Sequence, residues 1–408
     1  MGNEKEDLTI LLNKNVEKYK EQMIDLTCRL IQAPSEVGHE GETARILLDE
    51  LNSLPFDEIL TDKVGNITAI IKGSGGKNIL FNAHLDQVAP GDLDLWEFAP
   101  FEGIIQDGFI HGRGASDTKG AIATMVYGAL AAKDAATLKG DIILTFVVAE
   151  EPGDMWGMIR LFEDGFPYSF DLAVIEEATD LDIALGHKGR LEVELECIGK
   201  SSHSSTPWNG VNAIDKLMPV LLKVNELAGN LPSDPVMGQA SLCLLRLVTE
   251  PAWGSCVPDI ARANFDRRYL PTENVEDILS EIDDIVQDQM KQDSECNITA
   301  RIRQLKHVSY TGEAGITPMN KPAYLTSADD PMVAAAKTAL ENVGQKPKFM
   351  TWDFGTDGAY VSDTLGVPTI GYSCSEIPYL HTPFDRVSIE KMIASAVGNA
   401  AMCVAICG

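Results

Sequence analysis

Ile142-Ile143-Leu144-Thr145-Phe146-Val147-Val148-Ala149-Glu150-Glu151 is a mostly apolar run of strand length that ends in two adjacent carboxylates. A short run of this kind without alternation reads as a strand covered on both faces, as strands in parallel sheets are. Comparable runs recur outward from it, at Ile67–Ile71 and 78–81 upstream and at Leu172–Ile175 and 367–371 downstream. Helical stretches such as 121–132 and 332–340 separate them. This alternation predicts an α/β domain with a mixed, largely parallel sheet flanked by helices.

Farther upstream, Met23, Leu26, Leu30, Ala44, Leu47, Leu48 and Leu51 fall at helical spacing, interrupted by Pro34-Ser35 and Gly38, so two helices joined by a loop are expected over 16–54. The texture changes between Lys188 and Lys306. Leu191, Val193, Leu195 and Cys197 alternate with Glu192, Glu194 and Glu196, the period of a sheet wet on one face. A helix at 213–227, a strand at 261–267, a helix at 275–289 and a strand at 297–304 are expected to follow. An α+β module is therefore read as inserted at 188–306, dividing an α/β domain into 1–187 and 307–408.

The 408 residues carry 33 Lys plus Arg against 61 Asp plus Glu, a net charge of −28. That sign disfavours nucleic acid and anionic lipid as partners. Residues 1–10 show neither the basic start nor the apolar stretch of a secretory leader, so the chain is expected to begin there. With no uninterrupted apolar run near the roughly 20 residues of a membrane span, a soluble chain is expected. The eight cysteines form no CxxC pair, which fits reduced thiols in a cytoplasm.

Histidine is the commonest metal ligand and acid–base group near neutral pH. His39 reads as solvent-facing and His307 as structural, while His111 and His187 adjoin motifs without belonging to them. His84 differs, because it closely follows the apolar run 78–81 and has Asp86 two residues on, where a carboxylate could accept the second imidazole N–H. Asp117 precedes an alanine-rich helix and by itself reads as an N-cap. Glu150-Glu151 and Glu176-Glu177 close two apolar runs, and adjacent carboxylates repel unless solvent or a cation separates them. Open parallel sheets bind ligands beyond the carboxyl ends of their strands, so one crevice could gather these groups with His381. Two imidazoles with several carboxylates suit a zinc-type metal.

In order along the chain, His84-Leu85-Asp86, Gly112-Arg113-Gly114 to Asp117-Thr118-Lys119-Gly120, Glu150-Glu151, Glu177-Ala178-Thr179 and His381-Thr382-Pro383 resemble the cocatalytic-zinc family of acetylornithine deacetylase, succinyl-diaminopimelate desuccinylase, aminoacylase and carboxypeptidase G. The resemblance spans nearly the whole chain. It implies a zinc-peptidase-like catalytic domain and two divalent metals, zinc with cobalt or manganese as alternatives. His84 and Glu177 would hold one metal, Glu151 and His381 the other, and Asp117 would bridge them. Such a pair supplies a nucleophilic water and polarises the scissile carbonyl.

By the same resemblance Glu150 is the general base and Asp86 orients His84. The inserted module becomes a dimerisation lid, with His203 in Ser201-Ser202-His203-Ser204-Ser205 stabilising the oxyanion of a neighbouring site. Asp266-Arg267-Arg268-Tyr269-Leu270-Pro271 places Arg268, with Arg267 as the competing choice, on a substrate carboxylate. Gly355 and Thr356 belong to a substrate loop. Three departures stand out. Glu176-Glu177-Ala178 replaces Gly-Glu-Pro, leaving Glu176 as an alternative ligand; Thr118 stands where a second Asp is common; and Trp352-Asp353-Phe354 differs from the deacetylase and desuccinylase patterns. The implied activity is hydrolysis of an N-acyl amino acid or dipeptide-like amide by a cytoplasmic homodimer. A dipeptidase or carboxypeptidase, and a catalytically silent metal-binding dimer, are the alternatives.

Overall fold

The structure is a computed structural model that describes residues 2–408, with side chains from Leu8 onward. The expected chain start at Met1 lies outside these residues. A nine-stranded mixed sheet forms the centre of the larger domain. Its middle strands, Ile142–Val147, Ile79–His84, Leu172–Ile175 and Thr369–Gly371, run parallel in that spatial order. Antiparallel strands flank them: Ile67–Ile71 beside Ile142–Val147 on one side, and Ile183–His187 beside Thr369–Gly371 on the other.

The middle strands are buried along their length, and alternate residues serve two separate cores. Ile79, Phe81, Ile142, Leu144 and Phe146 pack with the long helices Gly2–Ile31, Gly120–Ala135 and Ile389–Cys407, whereas Leu80, Ile143, Val147 and Ala173 pack with the short helix Trp156–Glu163. Both faces are thus covered, as uniform apolarity required. The alanine-rich helix Gly120–Ala135 lies against Ile389–Cys407 so closely that a Cβ at Gly128 would stand 2.9 Å from the carbonyl oxygen of Ala396.

That last helix bears on one sequence expectation without overturning it. Ile389–Cys407 is long and apolar enough by length and composition to cross a membrane, although 61% of its apolar window is buried inside the molecule. Ser395 and Asn399 interrupt its apolar run and hid its length; both are buried. The first helix begins at Gly2, well before the expected position 16, and its buried Leu12 and Val16, four residues apart, lie on one face.

The second sheet is antiparallel, in the order Ser241–Glu250, Ile260–Tyr269, Gly189–Ile198, Ile298–Ile302, with Asn320–Lys321 also on Gly189–Ile198. Helices Ala213–Glu226 and Val275–Gln292 cover one face over a core that includes Leu191, Val193, Leu195, Phe265 and Ile282. The expected wet face is laced with ion pairs, Glu194 with Arg301 and Glu196 with Arg262. Strand Ser241–Glu250 was not foreseen: it is an edge strand with Leu244, Leu245 and Leu247 exposed and a bulge between Leu244 and Arg246, so it shows no alternation. Strand Asn320–Lys321 lies beyond the expected 188–306 span.

Candidate metal centre and substrate cavity

His84 ends its strand, and Glu150-Glu151 and Glu177 follow Val147 and Ile175 by a few residues, so the parallel register delivers all of them to one edge of the sheet. Ala149 is held at φ 56° directly before Glu150, and His381 itself at φ 58°. Such left-handed residues turn the chain sharply and are disfavoured unless the surroundings enforce them. Asp117 does not cap the following helix; its two oxygens face two different imidazoles. Oδ1 lies 2.9 Å from His84 Nε2, and Oδ2 lies 2.9 Å from His381 Nε2. Glu177 Oε1 stands 3.7 Å from His84 Nε2, and Glu151 Oε2 stands 3.1 Å from His381 Nε2.

The donor atoms of His84, Asp117 and Glu177 lie within 4.8 Å of one another, as do those of Asp117, Glu151 and His381. Glu176 faces the other way: it is buried, and Asn399 Nδ2 donates to it at 2.5 Å. Burial, then the charge of Asp117, pushes Glu151 up to about 7, and the same causes in the same order raise Glu177 well above the usual carboxylate range. Burial alone would lower His84, yet its contacts with Asp117 and Asp86 hold it well above its ordinary value. Hydrogen bonds to Asp117 and Glu151 raise His381 to about 10. Buried carboxylates crowded in this way call for compensating positive charge, and two imidazoles with three carboxylates, one carboxylate shared, fit a pair of divalent metals.

Asp86 acts differently from the expectation. His84 Nδ1–H donates to the backbone carbonyl of Asp86 at 2.9 Å, which leaves Nε2 as the ligand atom; the Asp86 carboxylate is 3.6 Å from Nδ1. That carboxylate instead accepts the backbone N–H groups of Glu150 and Glu151, both at 3.0 Å. A fully buried Asp86 therefore sets the loop that carries two functional glutamates.

A cavity of about 330 Å³ opens over the cluster, lined by Asp117, Glu150, Glu151, Glu177 and His381 on the sheet side and by Arg190 and Arg268 on the lid side. Arg268 Nε donates to Asp266 at 2.6 Å, and Arg190 Nε to the same carboxylate at 2.8 Å. Arg267 is turned into the lid, paired with Glu273, and does not line this cavity. Gly355 lines the cavity, but Thr356 does not; it lies behind, fully buried, its N–H donating to His187 Nε2 at 2.9 Å. His203 is exposed on the lid, bridged to Cys256 and accepting the Ser205 N–H at 3.1 Å, and does not line the cavity of its own chain.

Two charged residues, Arg190 and Lys321, were missed. Arg190 stands at the start of strand Gly189–Ile198 and belongs to none of the motifs. Lys321 fills the cavity wall with its Nζ 2.5 Å from Glu150 Oε1, and Asp357 is buried with both carboxylate oxygens lacking a partner among the described residues. Nothing in the local sequence around Lys321, a lone lysine before a proline, marks it.

Comparison with known proteins bears on this arrangement. The profile of peptidase family M20/M25/M40 matches residues 80–401. The chain is 30% identical over 395 residues to the uncharacterized protein YgeY of Escherichia coli (strain K12), covering 95% of this chain and 96% of that one. It is 28% identical over 386 residues to a succinyl-diaminopimelate desuccinylase of Methylorubrum extorquens, covering 89% and 93%. Its fold is similar to that of the di-peptidase Dug1p from Saccharomyces cerevisiae, with a TM-score of 0.75 at 14% identity over 98% of each chain.

Proposed function

The chain belongs to peptidase family M20/M25/M40, metal-dependent hydrolases that act on amide bonds, and we propose that within it this protein is a deacylase of N-acyl amino acids or dipeptide-like amides. The observation that carries the reading is the sharing of Asp117 between two donor triads, with Glu150 beside both and in neither. The similarity to a succinyl-diaminopimelate desuccinylase supports an acyl group on an amino acid.

His84, Glu177 and Asp117 would hold one metal, and Glu151, His381 and Asp117 the other. When bound, the metal pair supplies a nucleophilic water at neutral pH and polarises the scissile carbonyl. Glu150 takes the proton of the attacking water and returns it to the leaving amine, a task that needs a carboxylate not engaged as a ligand. Asp86 holds Glu150 and Glu151 in place through their N–H groups. Arg268 engages Asp266 mainly through Nε, and its remaining guanidinium donors bind the substrate carboxylate. The cavity volume is at the lower end of the range for small-molecule sites.

The proposal extends to zinc as the metal, with cobalt or manganese as alternatives, and to a homodimer whose lid places His203 in the neighbouring site. The apolar residues Met218, Leu222, Leu244, Leu245 and Leu247, exposed on the lid, support a covered face there. A cytoplasmic location is supported by eight cysteines all free of disulfides.

The test is metal analysis after zinc or cobalt reconstitution, followed by turnover of a panel of N-acyl amino acids and dipeptides. Two metals per chain with hydrolysis of N-acyl amino acids is the expected result. Turnover of dipeptides alone would replace the deacylase reading with a dipeptidase or carboxypeptidase, and a stoichiometry near zero would overturn the metal assignment.

A further inference from the structure

Four carboxylates reach the cavity, and three of them, Asp117, Glu151 and Glu177, belong to the donor triads. The fourth, Glu150, is met by an ammonium group. Lys321 is 1% exposed, and its Nζ donates to Glu150 Oε1 at 2.5 Å and to the carbonyl of Gly355 at 3.2 Å. Burying an ammonium group is expensive, and a buried pair rarely stabilises a fold better than apolar side chains of similar volume. Position at the cavity wall is what this pair provides.

The surroundings are shaped to admit the lysine. A Cβ at Gly355 would stand 2.7 Å from Lys321 Cδ, although the glycine is not in the left-handed region and an alanine there would meet no backbone penalty. Two residues on, Asp357 is buried without a hydrogen-bond partner among the described residues, and burial, then the charge of Glu150, pushes its carboxyl up to about 8. Gly355 thus supplies the room for Lys321.

The lysine also joins two parts of the molecule. Its backbone lies on strand Asn320–Lys321 of the lid sheet, in register opposite Arg190. Arg190 is also in register opposite Arg268, with which it shares Asp266, so the lysine on Glu150 and the two arginines form one cross-strand row.

We propose that Lys321 is a positioning residue of the hydrolytic site, engaging Oε1 of Glu150 so that Oε2 is the oxygen left for the proton, and tying that carboxylate to the lid strand that bears Arg190. The inference rests on the reading of Glu150 as the general base. Loss of the ammonium lets the carboxylate rotate, and a misplacement of about 1 Å can cost on the order of 10²-fold in rate.

The experiment uses the metal-reconstituted protein. Lys321→Met is expected to lower kcat on the order of 10²-fold, with KM changed less than about threefold and metal content unchanged. Gly355→Ala, which displaces the lysine without removing it, should lower kcat at least about tenfold with metal retained, and it covers the case in which Lys321→Met does not fold. A kcat within about twofold of wild type in Lys321→Met, while Glu150→Gln is inactive, would overturn this inference and leave the proposed function standing. So would a loss that follows metal content. Full turnover by Glu150→Gln would instead overturn the assignment of Glu150 beneath it.

Discussion

Glu150 and Glu151 are neighbours in sequence whose backbone N–H groups both donate to Asp86 while their side chains meet different partners. Glu150 reaches Lys321, and Glu151 reaches His381. Glu150→Gln keeps shape and hydrogen bonding but cannot take a proton at neutral pH, so turnover should be abolished with metal content nearly unchanged. Glu151→Gln should lose metal and activity together. Metal analysis beside steady-state rates separates them, and exchanged phenotypes would invert the assignment within the pair.

At the scale of elements, the end of strand Ile183–His187 is tied to the cavity loop through one imidazole. His187 Nδ1–H donates to the Lys188 carbonyl at 2.9 Å, so Nε2 can accept the Thr356 N–H only while the ring is neutral. Burial pushes its pKa down to about 3, and the charge of Lys321 adds to this. A histidine in the unfolded chain titrates near 6.5, so between that value and about 3 the unfolded chain binds a proton that the folded chain does not. Stability should therefore fall as pH drops through this window, by up to about 1.4 kcal/mol per pH unit from this group alone. Urea unfolding of His187→Gln across the same pH range should show a slope shallower by that amount; parallel curves would mean that the ring is protonated in the fold. A second imidazole ties strand Gln304–Val308, which pairs antiparallel with Ala314–Pro318, to the larger domain: His307 stacks on Trp156 with ring centroids 4.8 Å apart and meets Asp154 at 2.5 Å.

For the whole molecule, His203 poses a question of assembly. Exposed on the lid and outside its own chain's cavity, it has a catalytic role only if another chain brings a site to it. Removing one oxyanion donor typically costs about 10²–10³ in kcat, so His203→Ala should lower kcat by that order without loss of metal. Mixing Glu150→Gln chains with His203→Ala chains under subunit exchange should form heterodimers in which one of two sites has both groups intact, restoring part of the activity. No recovery despite demonstrated exchange would show that His203 does not act on a neighbouring chain's site.

Local pattern was enough to read the central strands, the α/β class and the motif residues, because full burial imposes an unbroken apolar run and parallel strands deliver whatever follows them to one edge. The assignment of His84, Asp117, Glu151, Glu177 and His381 as a set came instead from the resemblance of their motifs to a known family, and the five lie in two triads. Edge strand Ser241–Glu250 left no such trace, since a strand with exposed leucines has no face to alternate. The choice of Glu177 over Glu176, the turning of Arg267 away from the cavity, the diversion of the Asp86 carboxylate to two backbone N–H groups and the arrival of Lys321 at Glu150 were decided only by tertiary structure. Each depends on which way a side chain points, or on what a segment far away in sequence brings to it, and spacing along a chain encodes neither.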